Sequence, residues 1–236
     1  MIRERENDSV STVRKLIEHA RYHRLGKGDR LPSERELAER FGVARNAVRE
    51  AVAILDVLRI TVRKPNSGIY LRENLSDSSI DALVMQSDLG LPLSQEEVTD
   101  LVEARRILEV QTAILACRRR TDDDIANLDA VLAATQQKLD AGDSIADEDV
   151  NFHLALIRAA HNSAFLRIVT PFYLISATRR RTFFQDAAQA KRSHAEHGAI
   201  VKAVIAQDEA ATEQLVVRHL QRVEDYWTNT LTDSQP

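Results

Sequence analysis

The sequence predicts a mostly α-helical protein in two parts: a basic N-terminal unit of short helices closed by a small β-hairpin, then an all-α antiparallel bundle of about seven helices. Three observations predict it. Apolar residues recur every three to four positions through most of the chain, as on a helix face. Only two short runs, ITV and IYL, read as strands, and they flank a turn-rich stretch around Pro65. Charge is also unevenly divided: residues 1–74 carry 16 Lys and Arg against 11 Asp and Glu, and the remainder carries 16 against 25. A basic head joined to an acidic body is what a phosphate-binding module on a different kind of domain would show.

Bulk properties narrow the function classes. With 236 residues and 44% hydrophobic content, the chain can bury one large core or two modest ones. It contains no apolar run of the roughly 20 residues that a membrane span needs. The start MIRERENDSV lacks the apolar stretch of a secretory signal, so the expected localisation is cytoplasmic, with no membrane partner. The single cysteine, Cys117 in AILAC, forms no internal disulfide and reads as a small core residue.

Taken in order, Val10, Val13, Leu16, Ile17 and Ala20 share one helix face, giving a first helix over 9–23. In LPSERELAERFG, Pro32 keeps the preceding residue extended, Ser33 caps a helix and Glu36 completes a capping box, so a short helix runs from Ser33 to about Arg40. Gly42 permits a tight turn. The period then restarts with Val43, Ala47, Val48, Ala51, Ile54, Leu55 and Leu58. Two helices separated by a few residues around a glycine form a helix-turn-helix, and the strands around Arg63–Gly68 form its wing. The polar segment ENLSDSS reads as a linker, which sets the domains at 1–73, a linker at 74–79, and 80–236. Helices are expected near 79–88, 95–119, 122–141, 146–160, 163–185, 188–206 and 209–230.

In a helix-turn-helix the second helix enters the major groove and its early residues face base edges. Arg45, Asn46 and Arg49 hold those positions, while Ala47, Val48 and Ala51 pack inward. The planar guanidinium suits bidentate pairing with guanine or phosphate. Arg35 lies within reach of the backbone beside them, and Arg63 and Lys64 extend the basic surface into the wing. The alternative, solvated surface arginines with Arg35 paired to Glu39, stays open on spacing alone. The run LPSERELAERFGVARNAVREAVAIL resembles the signature of the GntR family of bacterial transcription regulators. That resemblance implies operator contacts by Arg35, Arg45 and Arg49, and a wing glycine at Gly68 that lets the hairpin tip approach the groove. Two departures stand out. Ala44 replaces the usual Ser or Thr, removing a capping hydroxyl, and Leu58-Arg59-Ile60-Thr61 lacks the glycine common after the recognition helix.

The bundle sequence carries polar residues on apolar stripes. His153 lies with Val150, Leu154 and Ile157, one turn after Asp149; His197 lies with Val201 and Val204; His219 lies with Leu215, Val216, Val223 and Tyr226. Each imidazole alone reads as a hydrogen-bonded core residue, and Asp149 with His153 as a helix pair. Three imidazoles buried without partners are costly, however, and one divalent metal satisfies them together. His194, one turn before His197, is a rival for the same position. Arg105 interrupts the stripe Val98, Leu101, Leu108, Thr112, so its charge faces inward, where it suits a carboxylate ligand or pairs with Glu109 at i+4. Asn162, a residue type that caps helices well, reads as the start of the next helix.

Residues 80–230 resemble the FCD effector-binding domain found in the FadR branch of the GntR family. The resemblance implies a divalent ion held by Asp149, His153, His197 and His219, with zinc first and nickel, manganese or iron also compatible. It further implies an effector pocket at Arg105 and Asn162. The expected function is a metabolite-responsive repressor, binding double-stranded operator DNA as a homodimer and tuned by a small carboxylate, hydroxy acid or sugar acid. The competing readings are a metal-dependent hydrolase fused to the head and a helical dimerisation scaffold without a working site. The hydrolase lacks an obvious general base, because Glu148 and Glu196 adjoin ligands and sit about 100° around the helix from them.

Overall fold

The computed structural model describes residues 2–72 and 78–232. By compactness it divides into Met1–Pro92 and Leu93–Pro236. The expected linker at 74–79 lies, apart from its last two residues, outside the described residues.

In the first unit, α1 spans Ile2–Tyr22, α2 Glu34–Phe41 and α3 Arg45–Val57. The first helix begins seven residues earlier than its apolar period implies. The segment before Ser9 has no apolar stripe, but it has no glycine or proline to stop a helix either. The capping box forms as expected: Ser33 N donates to Glu36 Oε2 at 2.8 Å and Glu36 N donates to Ser33 Oγ at 3.3 Å. Gly42 ends α2 in the left-handed region, φ 66°, and α3 starts at Ala44 with no side-chain cap. Val13, Leu16, Leu37, Val48, Val52 and Leu55 form the core of this unit. They come from one face of each helix, which is why the three helices pack as a group.

The strands β1 (Thr61–Lys64) and β2 (Gly68–Leu71) are antiparallel, pairing Thr61 with Leu71 and Lys64 with Gly68. Arg63 and Lys64 therefore belong to the strand rather than to the turn, which shrinks to Pro65–Ser67. A two-stranded ribbon with an open face tolerates basic side chains in its ladder, and both are exposed. The chain before α2 adds a further rung, with Leu31 N donating to Ile69 O at 2.9 Å and Leu71 N to Asp29 O at 2.8 Å. Helix α4 (Ile80–Asp88) follows, and Met85 and Leu89 join the core of the head. By contacts α4 thus groups with the first unit, not with the bundle.

The second unit is all α: α5 (Gln95–Arg119), α6 (Asp122–Ala141), α7 (Ala146–Arg158), α8 (Ser163–Ile175), α9 (Ala177–Phe183), α10 (Ala187–Ile205) and α11 (Glu209–Thr232). Capping boxes Ser94–Glu97 and Thr121–Asp124 start α5 and α6, and Gly142 closes α6 at φ 74°. The main core gathers Leu128, Phe152, Leu156, Ile200, Val204 and Val216 from four helices. Cys117 is buried and unpaired, as its apolar setting implies. One expected helix, 163–185, is broken at Ser176. Arg180 occupies the break, donating to Tyr173 O at 3.0 Å and to Ala146 O at 2.9 Å. The carbonyl freed by the break is therefore satisfied by a side chain, which periodicity does not register. Among the described residues no helix is long and apolar enough to cross a membrane.

Arg59, where the usual glycine is missing, takes φ 60°. Left-handed backbone costs a residue with a Cβ roughly 1–2 kcal/mol, partly offset by the greater unfolded-state freedom of glycine. Arg59→Gly is therefore expected to stabilise the head by about 0.5–1 kcal/mol. Amide exchange within Val48–Leu55, which reads this unit alone, should slow by roughly two- to fivefold.

Candidate functional site

The second unit brings one aspartate and three histidines to a single point. The turn of α7 that carries Asp149 and His153 places both on its buried face, and α10 and α11 contribute His197 and His219. One donor atom from each lies within 4.8 Å of every other. His219 Nε2 stands 3.2 Å from His197 Nε2 and 3.4 Å from His153 Nε2, while Asp149 Oδ1 lies 3.6 Å from His197 Nε2 and 3.8 Å from His153 Nε2. His194 is only half-buried and takes no part.

The outward nitrogens explain the orientation. His153 Nδ1 lies 2.7 Å from Glu109 Oε2, and His219 Nδ1 lies 2.7 Å from Glu196 Oε2. Each carboxylate holds a proton on Nδ1, so a neutral ring turns the lone pair of its Nε2 toward the centre. Burial pushes the pKa of His197 well below its ordinary value, with His219 and His153 adding to the effect, and burial likewise lowers that of His219. Even if one proton on His197 Nε2 bridges to His219, the three Nε2 atoms still crowd one another beside a carboxylate oxygen. Such acceptors repel in a dry core, and a cation removes the repulsion. Ligands about 2.1 Å from a common centre stand about 3.0–3.4 Å apart in adjacent positions. The residues therefore fit a divalent ion.

Glu109 and Glu196 are themselves held. Burial alone would raise the Glu109 carboxyl, yet Arg105, His153 and Tyr173 keep it well below the usual carboxylate range. Arg105 Nε bonds Glu109 Oε1, Tyr173 Oη donates to the same oxygen at 2.6 Å, and the guanidinium lies 4.5 Å over the Tyr173 ring. Glu196, which burial alone would also raise, is drawn down to about 2 by His219 and Arg222. Sequence reading missed both carboxylates as imidazole anchors. The available signal was Glu109 lying four residues after Arg105 within an apolar stripe; nothing local marks Glu196.

A small cavity adjoins the cluster, and a second shares a wall with it. The first, of about 40 Å³, is lined by Asp149, His153 and His219, and the second, of about 60 Å³, by Leu101, Val102, Arg106, Phe172, Ile175 and Glu224. Arg105, Ser176, Arg179, Leu220 and Val223 line both. Arg105 thus faces the site as its position in the stripe implies, although Glu109 already neutralises it. Asn162 does not reach either cavity. It is exposed at the start of α8, where Oδ1 accepts from Ala164 N at 3.0 Å, so the structure gives it the capping role.

On the head, Arg35, Arg45, Asn46, Arg49, Arg63 and Lys64 are all exposed. Arg35, Arg45, Arg63, Lys64 and Gly68 line one concave face between α2, α3 and the hairpin. Glu34, which the sequence did not single out, lies between two of these cations: it is 3.4 Å from Arg49 Nε and 3.0 Å from Arg63 Nη1. Arg35 pairs with Glu39 at 3.9 Å, as its i+4 spacing allows, and both side chains remain largely exposed. Arg45 has no ion-pair partner among the described residues. Gly68 takes φ 135°, and a Cβ there would lie 2.9 Å from Arg30 Nε. Glycine thus lets the arginine pack against the hairpin.

A winged helix-turn-helix with an exposed basic face, on a chain whose helical domain converges four ligand-type side chains in its core, defines a DNA-binding regulator with a sensing domain. Comparison with known proteins agrees. Residues 9–71 match the bacterial regulatory proteins of the gntR family, and residues 100–222 match the FCD domain. The chain belongs to the GntR family, in its FCD-containing, FadR-like branch, a family of transcription regulators and not of enzymes. It is 32% identical over 206 residues to the HTH-type transcriptional regulator LutR of Bacillus subtilis, covering 85% of this chain and 92% of that one. It is 27% identical over 206 residues to the galactonate operon transcriptional repressor of Escherichia coli, covering 87% and 89%. The solved structure of Streptococcus agalactiae GntR superposes with a TM-score of 0.50 at 25% identity, covering 92% of this chain and 99% of that one. The hydrolase alternative falls with the family assignment.

Because Asn162 caps α8, Asn162→Ala is expected to cost the bundle about 1 kcal/mol. Denaturant unfolding would measure the loss, and the affinity for any acid ligand should stay unchanged.

Proposed function

We propose that this protein is a metal-dependent, acid-responsive repressor that binds operator DNA as a homodimer. The observation that carries the reading is the convergence of Asp149, His153, His197 and His219 on one point beside a cavity walled by arginine. Imidazole and carboxylate donors suit zinc first, and nickel, manganese or iron as well. The ion, when bound, supplies a Lewis-acidic centre with room for an oxygen of the effector. Glu109 and Glu196 hold the imidazoles in the ligating tautomer, and Arg105 adds to the positive wall that receives a small carboxylate, hydroxy acid or sugar acid. The galactonate operon transcriptional repressor among the relatives supports repression.

The DNA surface is the concave face of the head. Arg45, Asn46 and Arg49 read bases from the start of α3, while Arg35, Arg63 and Lys64 hold phosphates, with Gly68 keeping the hairpin close. Two copies present two recognition helices to a two-fold symmetric operator. Effector binding changes how the two heads are spaced, and with it the fit to both half-sites. A coupling of about 1–3 kcal/mol is enough for such a response.

Purified protein is expected to carry one divalent ion per chain by elemental analysis. Chelation should lower the melting temperature, and small acids should raise it only in the loaded protein. A chain that holds no metal and ignores every acid would be a plain helical scaffold. Arg45→Ala and Arg49→Ala should each weaken specific binding to the protein's own upstream region by about 10- to 100-fold in gel retardation. Unchanged affinity would remove them from the DNA surface.

A further inference from the structure

The concave face of the head is lined by Arg30 as well as by Arg35, Arg45, Arg63 and Lys64. Most of these cations are already engaged. Arg63 shares Glu34 with Arg49, Arg35 pairs with Glu39, and Lys64 Nζ stands 4.6 Å over the Tyr70 ring. Arg30 is exposed, and its side chain has no hydrogen bond or ion pair among the described residues.

The local backbone sets the direction of this side chain. Residues 29–31 lie extended against the hairpin, with Leu71 N donating to Asp29 O at 2.8 Å and Leu31 N to Ile69 O at 2.9 Å. Neighbouring side chains of an extended chain point to opposite sides. Leu31 enters the core of the head, so Arg30 is turned away from it. The carboxylates nearest in sequence are committed elsewhere. Asp29 Oδ2 accepts from Gly26 N at 2.7 Å, and Glu36 Oε2 accepts from Ser33 N at 2.8 Å and Ser33 Oγ at 2.7 Å.

Gly68 decides where the charge rests. A Cβ there would lie 2.9 Å from Arg30 Nε, 3.3 Å from Nη2 and 3.4 Å from Cζ, so the bare backbone at the start of β2 is a seat for the guanidinium. A seated arginine with no acid to displace gives up little when an anion arrives. The seat is on the hairpin and not on α3, whose start faces the base edges. Elements that flank a recognition helix meet the sugar-phosphate backbone.

We propose that Arg30 is a DNA phosphate contact at the base of the wing, held in place by Gly68. The assignment rests on the DNA surface proposed above and adds a residue to it.

The test uses the full chain and fluorescence anisotropy with two duplexes of equal length, one from the protein's own upstream region and one of unrelated sequence, between about 50 and 200 mM potassium chloride. Arg30→Gln should weaken both by the same factor, roughly three- to tenfold, and should flatten the plot of log affinity against log salt by about 0.9 for each bound head. Arg30→Lys, which keeps the charge, should restore the slope. An unchanged slope in Arg30→Gln, or a loss confined to the upstream duplex, overturns the phosphate assignment. Equal losses in Arg30→Gln and Arg30→Lys at wild-type slope would make Arg30 a packing residue of the hairpin and overturn it too. Arg45→Ala separates these results from a failure of the whole face. If Arg45→Ala binds the upstream duplex poorly while Arg30→Gln is silent, only the Arg30 assignment falls; if both are silent, the DNA surface falls with it.

Discussion

Four ligand-type atoms forced together in a buried cluster are the constraint around which the second unit is organised. Left alone, Asp149 and the three imidazoles would repel one another, and each would be better off rotated toward water. They stay because the far side of two rings is clamped: His153 by Glu109 and His219 by Glu196. Glu109 is buried in turn and Glu196 half-buried, and Arg105, Tyr173 and Arg222 hold them as anions. The polar network thus runs outward in shells from the cluster, and the apolar residues of α5, α7, α10 and α11 close around it. His197 is the exception, since its Nδ1 is buried without a hydrogen-bond partner. It is positioned by stacking, its ring lying 3.8 Å from that of Phe152 at an interplanar angle of 11°. A half-satisfied network is less stable than an apolar core, so the arrangement makes physical sense as a binding site more than as a structural brace.

Much of this was legible in the chain itself, because helical spacing carries direction as well as periodicity. Asp149 and His153 sit one turn apart on an apolar stripe, and His197 and His219 each interrupt one, so all four had to point inward. Ser33 with Glu36, and Gly42 nine residues on, mark the helix-turn-helix in the same local way. What escaped notice depends on partners distant in sequence. Glu109 looks like a local pair for Arg105, yet Tyr173, which shares it, lies 64 residues further on. Glu196 follows no stripe that would distinguish it from a surface residue.

Boundaries were less legible than faces, for a related reason. Helix α1 runs past its apolar residues because nothing stops it, and α8 ends at Ile175, where Arg180 takes over the Tyr173 carbonyl that a continuing helix would have satisfied. Neither event leaves a period in the sequence. In the wing, Arg63 and Lys64 look like turn residues by chemistry but pair in register with Ile69 and Gly68. Position in the ladder, not polarity, decided their conformation.

Glu34 has a consequence for how the head meets any anion. It lies at the first turn of α2 with two guanidiniums against its carboxylate, Arg49 from α3 and Arg63 from β1. An exposed arginine ordinarily samples many rotamers and loses that freedom on contact. Here one acidic residue spans helix, helix and strand, so the two guanidiniums are mustered on one side of the head before a partner arrives. The same carboxylate must then be outcompeted by whatever arrives, which makes Glu34 both the template for the basic face and the first rival of its ligand.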